Sequence, residues 1–121
     1  MQNWVFKILR ASEWQAGHND RSYTGAPVDL ADGYIHFSTI DQLQETADKY
    51  FSGESIVHIT VFAVASWTDE LRWEPSRGGQ LFPHLYRPLD MTIAAKNWTI
   101  KKETGARFDI TAIAHWAKNH D

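Results

Sequence analysis

The sequence has 121 residues, of which 43% are hydrophobic and 22% are charged, and its formal net charge is −3. This length and composition predict one globular α+β domain over residues 1–121. The negative charge argues against nucleic-acid binding, which normally requires a basic surface, so we expect no nucleic-acid partner. Because the sequence contains no cysteine, disulfides, thiolate metal sites and thiol nucleophiles are excluded.

Apolar runs are too short to indicate a membrane protein. None approaches the roughly 20 residues of a membrane-spanning helix, and Met1–Arg10 lacks the apolar run of a signal peptide. We therefore expect a cytoplasmic protein without a membrane partner. The sequence leaves the oligomeric state open.

The first quarter of the chain predicts one strand, a short helical turn and a long loop. Asn3–Leu9 alternates strand-forming residues, with its even-numbered positions predicted to face the core. A short helical turn is predicted over Ser12–Gly17. The polar stretch His18–Asp32 is interrupted by Gly25 and Pro27 and predicts a loop of about 15 residues, a length typical of functional or mobile segments.

A strand that leads directly into a capped helix follows this loop. Alternation along Gly33–Ser38 places His36 and Ser38 on one face of the strand. Thr39 is a favourable N-cap, with a glutamine at the capping-box position, for a helix predicted over Ile40–Phe51. Because free amides at a helix N-terminus favour anions, we predict that Ser38 and Thr39 bind an anionic group.

The remaining elements flank the most unusual stretch of the sequence. Ser55–Val64 is apolar on both faces and predicts a central strand, in which His58 is expected to be a buried structural residue. Two short strands are predicted over Met91–Ala94 and Asn97–Lys102. A helix is predicted over Ile110–Lys118, with a narrow apolar stripe that can pack on the sheet.

The stretch Leu71–Leu89 carries three of the four prolines and a Gly-Gly pair. Proline removes a backbone donor and fixes φ, so this stretch cannot be one continuous central strand. We predict a strand over Leu71–Glu74, a loop over Pro75–Gln80 and an extended return over Leu81–Tyr86.

Five side chains are candidates for chemistry, each with a structural alternative. Glu74 could be a catalytic carboxylate or an ion-pair partner of nearby arginines. His84 and Tyr86 share a strand face and could line a cleft or stiffen a proline-rich bend. Arg77, before the two glycines, could bind a phosphate or only begin a turn. His36 could act as an acid or base, hold a ribose hydroxyl, or bond to backbone.

Two segments carry a resemblance to a known family. GYIHFST followed by a helix, then RWEPSRGGQLFPHLYRPL, resembles the small bacterial family called domain of unknown function 952, and WVFKILRASEW is similar to its start. That family has been grouped by fold with the ADP-ribosyltransferases. The resemblance implies an α+β fold with a bent, split, mixed or antiparallel sheet, and a nucleotide pocket for which NAD is a possible cofactor. Such transferases often carry a ribose-binding histidine on the first strand, where this chain has Lys7.

These observations lead to one predicted site with three functional hypotheses. We predict a cleft between the His36 strand and the segment Glu74–Tyr86, occupied by a small anionic, nucleotide-like ligand. The protein is then a transferase acting on NAD or a related nucleotide, a non-catalytic binding or interaction module, or a metal-dependent hydrolase. No motif with metal-ligand spacing is present, so no metal site is predicted. The predicted catalytic residues are Glu74, His36 and His84, and the predicted ligand-binding residues are Ser38, Thr39, Arg77 and Tyr86.

Overall fold

The computed structural model describes residues 2–120, which form an α+β fold. The strands are β1 (Trp4–Arg10), β2 (Ser22–Tyr23), β3 (Ile35–His36), β4 (Ile56–Ala63), β5 (Leu71–Pro75), β6 (Leu81–Leu85), β7 (Leu89–Asp90) and β8 (Lys96–Lys101). The helices are α1 (Ala11–Asp20), α2 (Pro27–Asp32), α3 (Ile40–Tyr50) and α4 (Thr111–Asn119). Single 3₁₀ turns occupy Val64–Ser66, Arg77–Gly79 and Met91–Ile93. The α+β class predicted from the sequence is confirmed.

All strand pairings in these residues are antiparallel and form two three-stranded sheets and one short pair. The first sheet has the order β1-β4-β8, the second has the order β3-β6-β5, and β2 pairs with β7. A bridge joins the two larger sheets, because the amide of Phe6 bonds to the carbonyl of Ser38 at 2.8 Å and the reverse bond is 2.9 Å. Beyond this bridge β1 continues along β4 without pairing with β3, so the two sheets separate.

A hydrophobic core lies on each side of the first sheet. Alternate residues of β1 enter different cores, with Phe6 and Ile8 in one and Val5 and Leu9 in the other. The predicted core face of β1 is therefore buried at Phe6 and Ile8, and the opposite face is buried as well. The second face is covered because the second sheet packs against it. The predicted central strand is confirmed as β4, which lies between β1 and β8.

The predicted loop over His18–Asp32 is wrong. Helix α1 continues to Asp20, well beyond the predicted short turn, and α2 occupies Pro27–Asp32. Proline is favourable at the first position of a helix, where its missing N–H has no partner to lose. The Asp29 carboxylate accepts a 2.7 Å hydrogen bond from the amide of Ala26 and so caps this short helix.

Two further strand predictions need correction. The segment Met91–Ala94, predicted as a strand, instead contains the 3₁₀ turn Met91–Ile93. The Asp90 carboxylate stabilises this turn by accepting hydrogen bonds from the Thr92 amide at 2.9 Å and the Thr92 hydroxyl at 2.6 Å. Such local side-chain bonds compete with strand pairing. In the predicted strand Gly33–Ser38, regular pairing is confined to β3, and Ser38 takes part in the bridge to Phe6.

The elements that position the cleft agree with the sequence. The proline-rich stretch forms the hairpin of β5 and β6, joined by the turn at Arg77–Gly79, and β6 pairs with β3. Gly78 has φ of 68°, a left-handed conformation that glycine adopts without strain. Helix α3 follows Thr39 as predicted. Within residues 2–120, no helix combines the length and apolar character needed to cross a membrane.

Candidate functional site

A cleft of about 410 Å³ lies where the two sheets separate. One wall is the β1 segment beyond the bridge, and the others come from α2, the last turns of α3, and β3, β6 and the β5–β6 turn. Its apolar and aromatic lining is Phe6, Ile8, Ala26, Val28, Tyr50, Phe51 and Phe82. Its charged and polar lining is Lys7, Arg10, Glu13, Asp32, His36, Ser38, Thr46, Ser76, Arg77 and His84.

The structure brings four of the predicted site residues to this cleft. His36, Ser38, Arg77 and His84 line it. Glu74 and Tyr86 do not, but Glu74 bonds to His84 and Tyr86 bonds to Glu74. Thr39 is 5% exposed at the start of α3 and contributes nothing to the lining.

Lys7, Asp29 and His36 form a closed network at one side of the cleft, which we call the lysine network. The Lys7 ammonium donates to the two carboxylate oxygens of Asp29 at 3.3 and 3.1 Å and to the carbonyl of His36 at 2.9 Å. An ammonium has three hydrogens, so no donor of Lys7 is left for a ligand. This pairing was not predicted from the sequence, because Asp29 was placed in the predicted loop.

Both ring nitrogens of His36, the histidine of this network, lie close to carboxylate oxygens. His36 Nδ1 lies 2.6 Å from Asp29 Oδ1, and Nε2 lies 3.0 Å from Asp32 Oδ2. The Asp29 side chain is 0% exposed and also accepts from the backbone amide of His36 at 3.0 Å. His36 therefore links β3 to α2, with a carboxylate oxygen facing each of its ring nitrogens.

The pKa values within the lysine network reflect burial and close pairing. Burial alone would raise the pKa of Asp29, but the hydrogen bond from His36, the charge of Lys7 and two backbone amides lower it to about 2. Burial lowers the pKa of Lys7, an effect that Asp29 opposes. Asp29 is thus a carboxylate at neutral pH and supplies the negative charge that this buried lysine needs.

Glu74, His84 and Tyr86 form a second network, which we call the glutamate network. Glu74 Oε1 is 2.9 Å from His84 Nδ1 and accepts a 2.7 Å hydrogen bond from the Tyr86 hydroxyl. The His84 side chain is 2% exposed, yet its Nε2 has no hydrogen-bond partner in the described part of the chain. This network therefore contains a buried polar atom that is open to pairing.

The pKa of each group in the glutamate network follows from these contacts. The hydrogen bond from Tyr86, followed by the bond to His84, lowers the pKa of Glu74. Burial lowers the pKa of His84, while Glu74 opposes this shift. At neutral pH the network therefore pairs an ionised carboxylate with a neutral imidazole.

Tyr34 covers the two histidines and was not among the predicted site residues. Its ring stacks on His84 with centroids 4.1 Å apart, and it lies 4.7 Å from His36 and 5.2 Å from Tyr86. Alternation along Gly33–Ser38 puts Tyr34 on the same face as His36, so the sequence carried a signal for it.

Arg77 holds the opposite side of the cleft. Its Nη2 donates to the Thr46 hydroxyl at 3.1 Å, and its guanidinium lies over Phe82, 4.7 Å from the ring centroid. The Thr46 hydroxyl donates to the carbonyl of Gln42 at 3.0 Å, so it accepts the 2.9 Å hydrogen bond that joins it to Ser38. Arg77 and Ser38 are thus held in place through Thr46.

A second guanidinium, that of Arg10, also lines the cleft. It lies over Phe51, 4.7 Å from the ring centroid, and its Nε donates to Glu54 at 3.3 Å. Its Nη1 is 3.6 Å from Glu13. Because a guanidinium has five N–H donors, both arginines keep donors for a further partner.

The two residues predicted to form an anion site at the start of α3, Ser38 and Thr39, do not face the same cavity. The Thr39 amide donates to Gln42 Oε1 at 3.0 Å, and Gln42 Nε2 donates to the carbonyl of Leu81 at 2.9 Å. From α3, the residues that line the cleft are Thr46 and Tyr50, toward its C-terminal end. Ser38 belongs to the cleft, whereas the N-terminus of α3 packs against β6.

Metal binding was the third functional hypothesis. Within the described residues 2–120, no group of three or more histidine, aspartate or glutamate side chains is placed to hold a metal ion. His36 instead faces Asp29 and Asp32 through hydrogen bonds, and His84 faces Glu74.

Comparisons with known proteins place the chain in a family. The model of a family of proteins of unknown function, DUF952, matches residues 8–96. The crystal structure of protein CC0527 from Caulobacter crescentus has a TM-score of 0.87 and 35% identity, covering 93% of this chain and 98% of that one. Its solution NMR structure has a TM-score of 0.80 and 35% identity, covering 91% and 95%. No curated protein matches. The chain therefore belongs to the DUF952 family, as its GYIHFST and FPHLY segments indicated.

Proposed function

We propose that the cleft between the two sheets binds a small, anionic, nucleotide-like molecule. The observation that carries this proposal is the combination, in one cleft of about 410 Å³, of two guanidinium groups with aromatic and apolar walls. The volume lies within the roughly 300–1,000 Å³ of small-molecule sites.

The two kinds of lining group match the two parts of a nucleotide. Guanidinium groups pair with phosphate through two parallel hydrogen bonds, a role open to Arg10 and Arg77. Val28 and Tyr50 line the cleft while 56% and 55% exposed, so apolar surface is available to a base or another flat ring. Single exposed apolar residues are ordinary, but two at the edge of one cleft favour an apolar ligand part.

The sheet arrangement supports a relationship to the ADP-ribosyltransferases. Two antiparallel sheets that meet at the Phe6–Ser38 bridge and then separate are the arrangement that the resemblance implied. NAD and ADP-ribose are therefore the first ligands to examine. The ammonium of Lys7, however, donates all its N–H hydrogens to Asp29 and to the carbonyl of His36, so Lys7 does not replace a ribose-binding histidine.

Thermal denaturation with added AMP, ADP-ribose and NAD tests the binding proposal. A ligand at 100 times its dissociation constant stabilises a protein by about 2.7 kcal/mol, which for this size raises the melting temperature on the order of 10 °C. Arg77→Ala should reduce the rise, and Arg87→Ala, at an exposed arginine outside the cleft, should leave it intact. No rise with any of the three at millimolar concentration would overturn the proposal.

Turnover separates a transferase from a non-catalytic binding module. The glutamate network favours acid–base chemistry, because a carboxylate holds a neutral histidine at the cleft. NAD hydrolysis or ADP-ribose transfer should be lowered roughly 100-fold or more by Glu74→Gln with binding retained. A parent protein that binds these ligands without converting any of them is a binding module.

A further inference from the structure

The buried Nε2 atom of His84 is the most informative unpaired group in the cleft. Its accessible surface is below 1 Å², and no hydrogen-bond partner is present among residues 2–120. Buried polar atoms in folded proteins are nearly always paired, because an unpaired one loses its hydration without compensation. His84 also lines the cleft, so a molecule bound there is in a position to supply the missing partner.

The proton on the His84 ring is assigned by Glu74. An ionised carboxylate only accepts hydrogen bonds, so the 2.9 Å contact with Glu74 Oε1 requires the hydrogen to be on Nδ1. A neutral imidazole has one N–H. Nε2 therefore carries a lone pair and accepts hydrogen bonds.

The neighbouring side chains offer no donor to this lone pair. Tyr34 meets the ring face to face, with planes 29° apart, and the ring of His36 approaches at 68° with centroids 5.4 Å apart. Both nitrogens of His36 already face Asp29 and Asp32. The donor has to come from the contents of the cleft.

We propose that Nε2 of His84 is the acceptor for a hydroxyl group of the bound molecule, and that Glu74 is a positioning residue that holds the hydrogen of the neutral imidazole on Nδ1. This inference rests on the proposed nucleotide-like ligand and narrows it to phosphorylated compounds that carry sugar hydroxyls. A nucleotide without ribose hydroxyls lacks this sugar donor. Since Nε2 is occluded without ligand, a neighbouring side chain shifts as the hydroxyl enters.

The tautomer of His84 is measurable without any ligand. Long-range ¹H–¹⁵N NMR spectra of the protein near pH 7 should show a protonated Nδ1 and an unprotonated Nε2. Glu74→Gln keeps an acceptor oxygen for Nδ1–H and should retain this tautomer, whereas Glu74→Ala removes it and should shift the hydrogen toward Nε2. A protonated Nε2 in the parent protein overturns the proposal.

A pair of nucleotides that differ only in hydroxyls tests the selectivity. AMP should bind the parent protein roughly tenfold more tightly than 2′,3′-dideoxy-AMP, because the second compound leaves Nε2 unpaired. His84→Phe, which keeps a flat ring but no acceptor, should abolish this preference. Equal binding of the two nucleotides to the parent protein overturns the hydroxyl selection alone, and failure of both to bind overturns it together with the proposed function.

Discussion

Two histidine–carboxylate networks adjoin the same cleft, and they differ in how completely their polar atoms are paired. In the lysine network, every donor of Lys7 and both nitrogens of His36 have partners, and Asp29 is wholly buried. In the glutamate network, the carboxylate is partly exposed and His84 keeps one buried nitrogen without a partner. The first arrangement holds α2 against the sheets, and the second leaves a group that a ligand can use.

The completeness of hydrogen-bond pairing separates residues that stabilise the fold from candidate functional residues better than residue type does. His36 and His84 are both strand histidines with a carboxylate at Nδ1, and their positions pair directly between β3 and β6. They differ in burial, with side chains 29% and 2% exposed, and in whether both ring nitrogens have a partner. We therefore propose that His36 has mainly a structural role and that His84 contacts the ligand.

Breaking the lysine network should have the largest effect on stability. Asp29→Asn removes the only charge paired with the buried Lys7 ammonium in the described structure, and loss of one partner from a buried pair costs about 3–5 kcal/mol. Urea denaturation at low temperature measures this loss. Asp32→Asn is the matched control, since Asp32 also bonds to His36 but is 44% exposed. An equally small cost for both substitutions would contradict the comparison.

Acid should weaken the same network by a smaller amount. The folded pKa of Asp29 is about 2, and an unfolded aspartate titrates at about 3.9. Because the folded value is the lower one, this stabilisation is present above about pH 4 and is lost as the pH falls toward 2, with a total of about 2–3 kcal/mol. Denaturation of the parent protein and Asp29→Asn across this range isolates the contribution. Identical pH slopes for the two proteins would show that Asp29 is not the titrating group.

Removing the open nitrogen should change stability little. His84→Phe replaces a buried imidazole whose Nε2 has no protein partner by an apolar ring of similar shape, and leaves Glu74 bonded to Tyr86. We expect less than about 1 kcal/mol of change in the free energy of unfolding, because the remaining Glu74 carboxylate is 35% exposed and so is not left buried without a partner. A loss as large as that of Asp29→Asn would assign His84 a structural role instead.

The smallest effect is expected at the rim of the glutamate network. Tyr86 is 37% exposed, and its hydroxyl makes the main contribution to the lowered pKa of Glu74. Tyr86→Phe should leave the melting temperature and the His84 tautomer unchanged while raising the pKa of Glu74. Titration of the Glu74 carboxyl by ¹³C NMR measures the shift, and a lowered or unchanged value would contradict the assigned contact.

The sequence predicted the hairpin and the shared face of its polar side chains because those features have local signals. Prolines and paired glycines define the ends of β5 and β6, and alternation places Glu74, His84 and Tyr86 on one face. Thr39 and its glutamine partner define the start of α3. These rules act over a few residues and need no tertiary information.

The lysine network could not be predicted because its contacts are distant in sequence. Lys7 and Asp29 are separated by 22 positions, and Asp29 lies in a polar segment whose only helical signals are Pro27 and its own carboxylate. A lysine in an alternating strand is normally expected to face solvent, yet Lys7 is 6% exposed. Its burial depends on α2 covering β1 and β3.

The most direct measurement of the central claim is an NMR titration of the protein with AMP that follows the imidazole nitrogens of both histidines. The account predicts a saturable shift at Nε2 of His84 as it accepts a hydroxyl hydrogen bond, with a much smaller response at His36, whose nitrogens stay with Asp29 and Asp32. A saturable response confined to His36, or none at either histidine at millimolar AMP, would contradict the claim that the glutamate network is the side of the cleft open to a ligand.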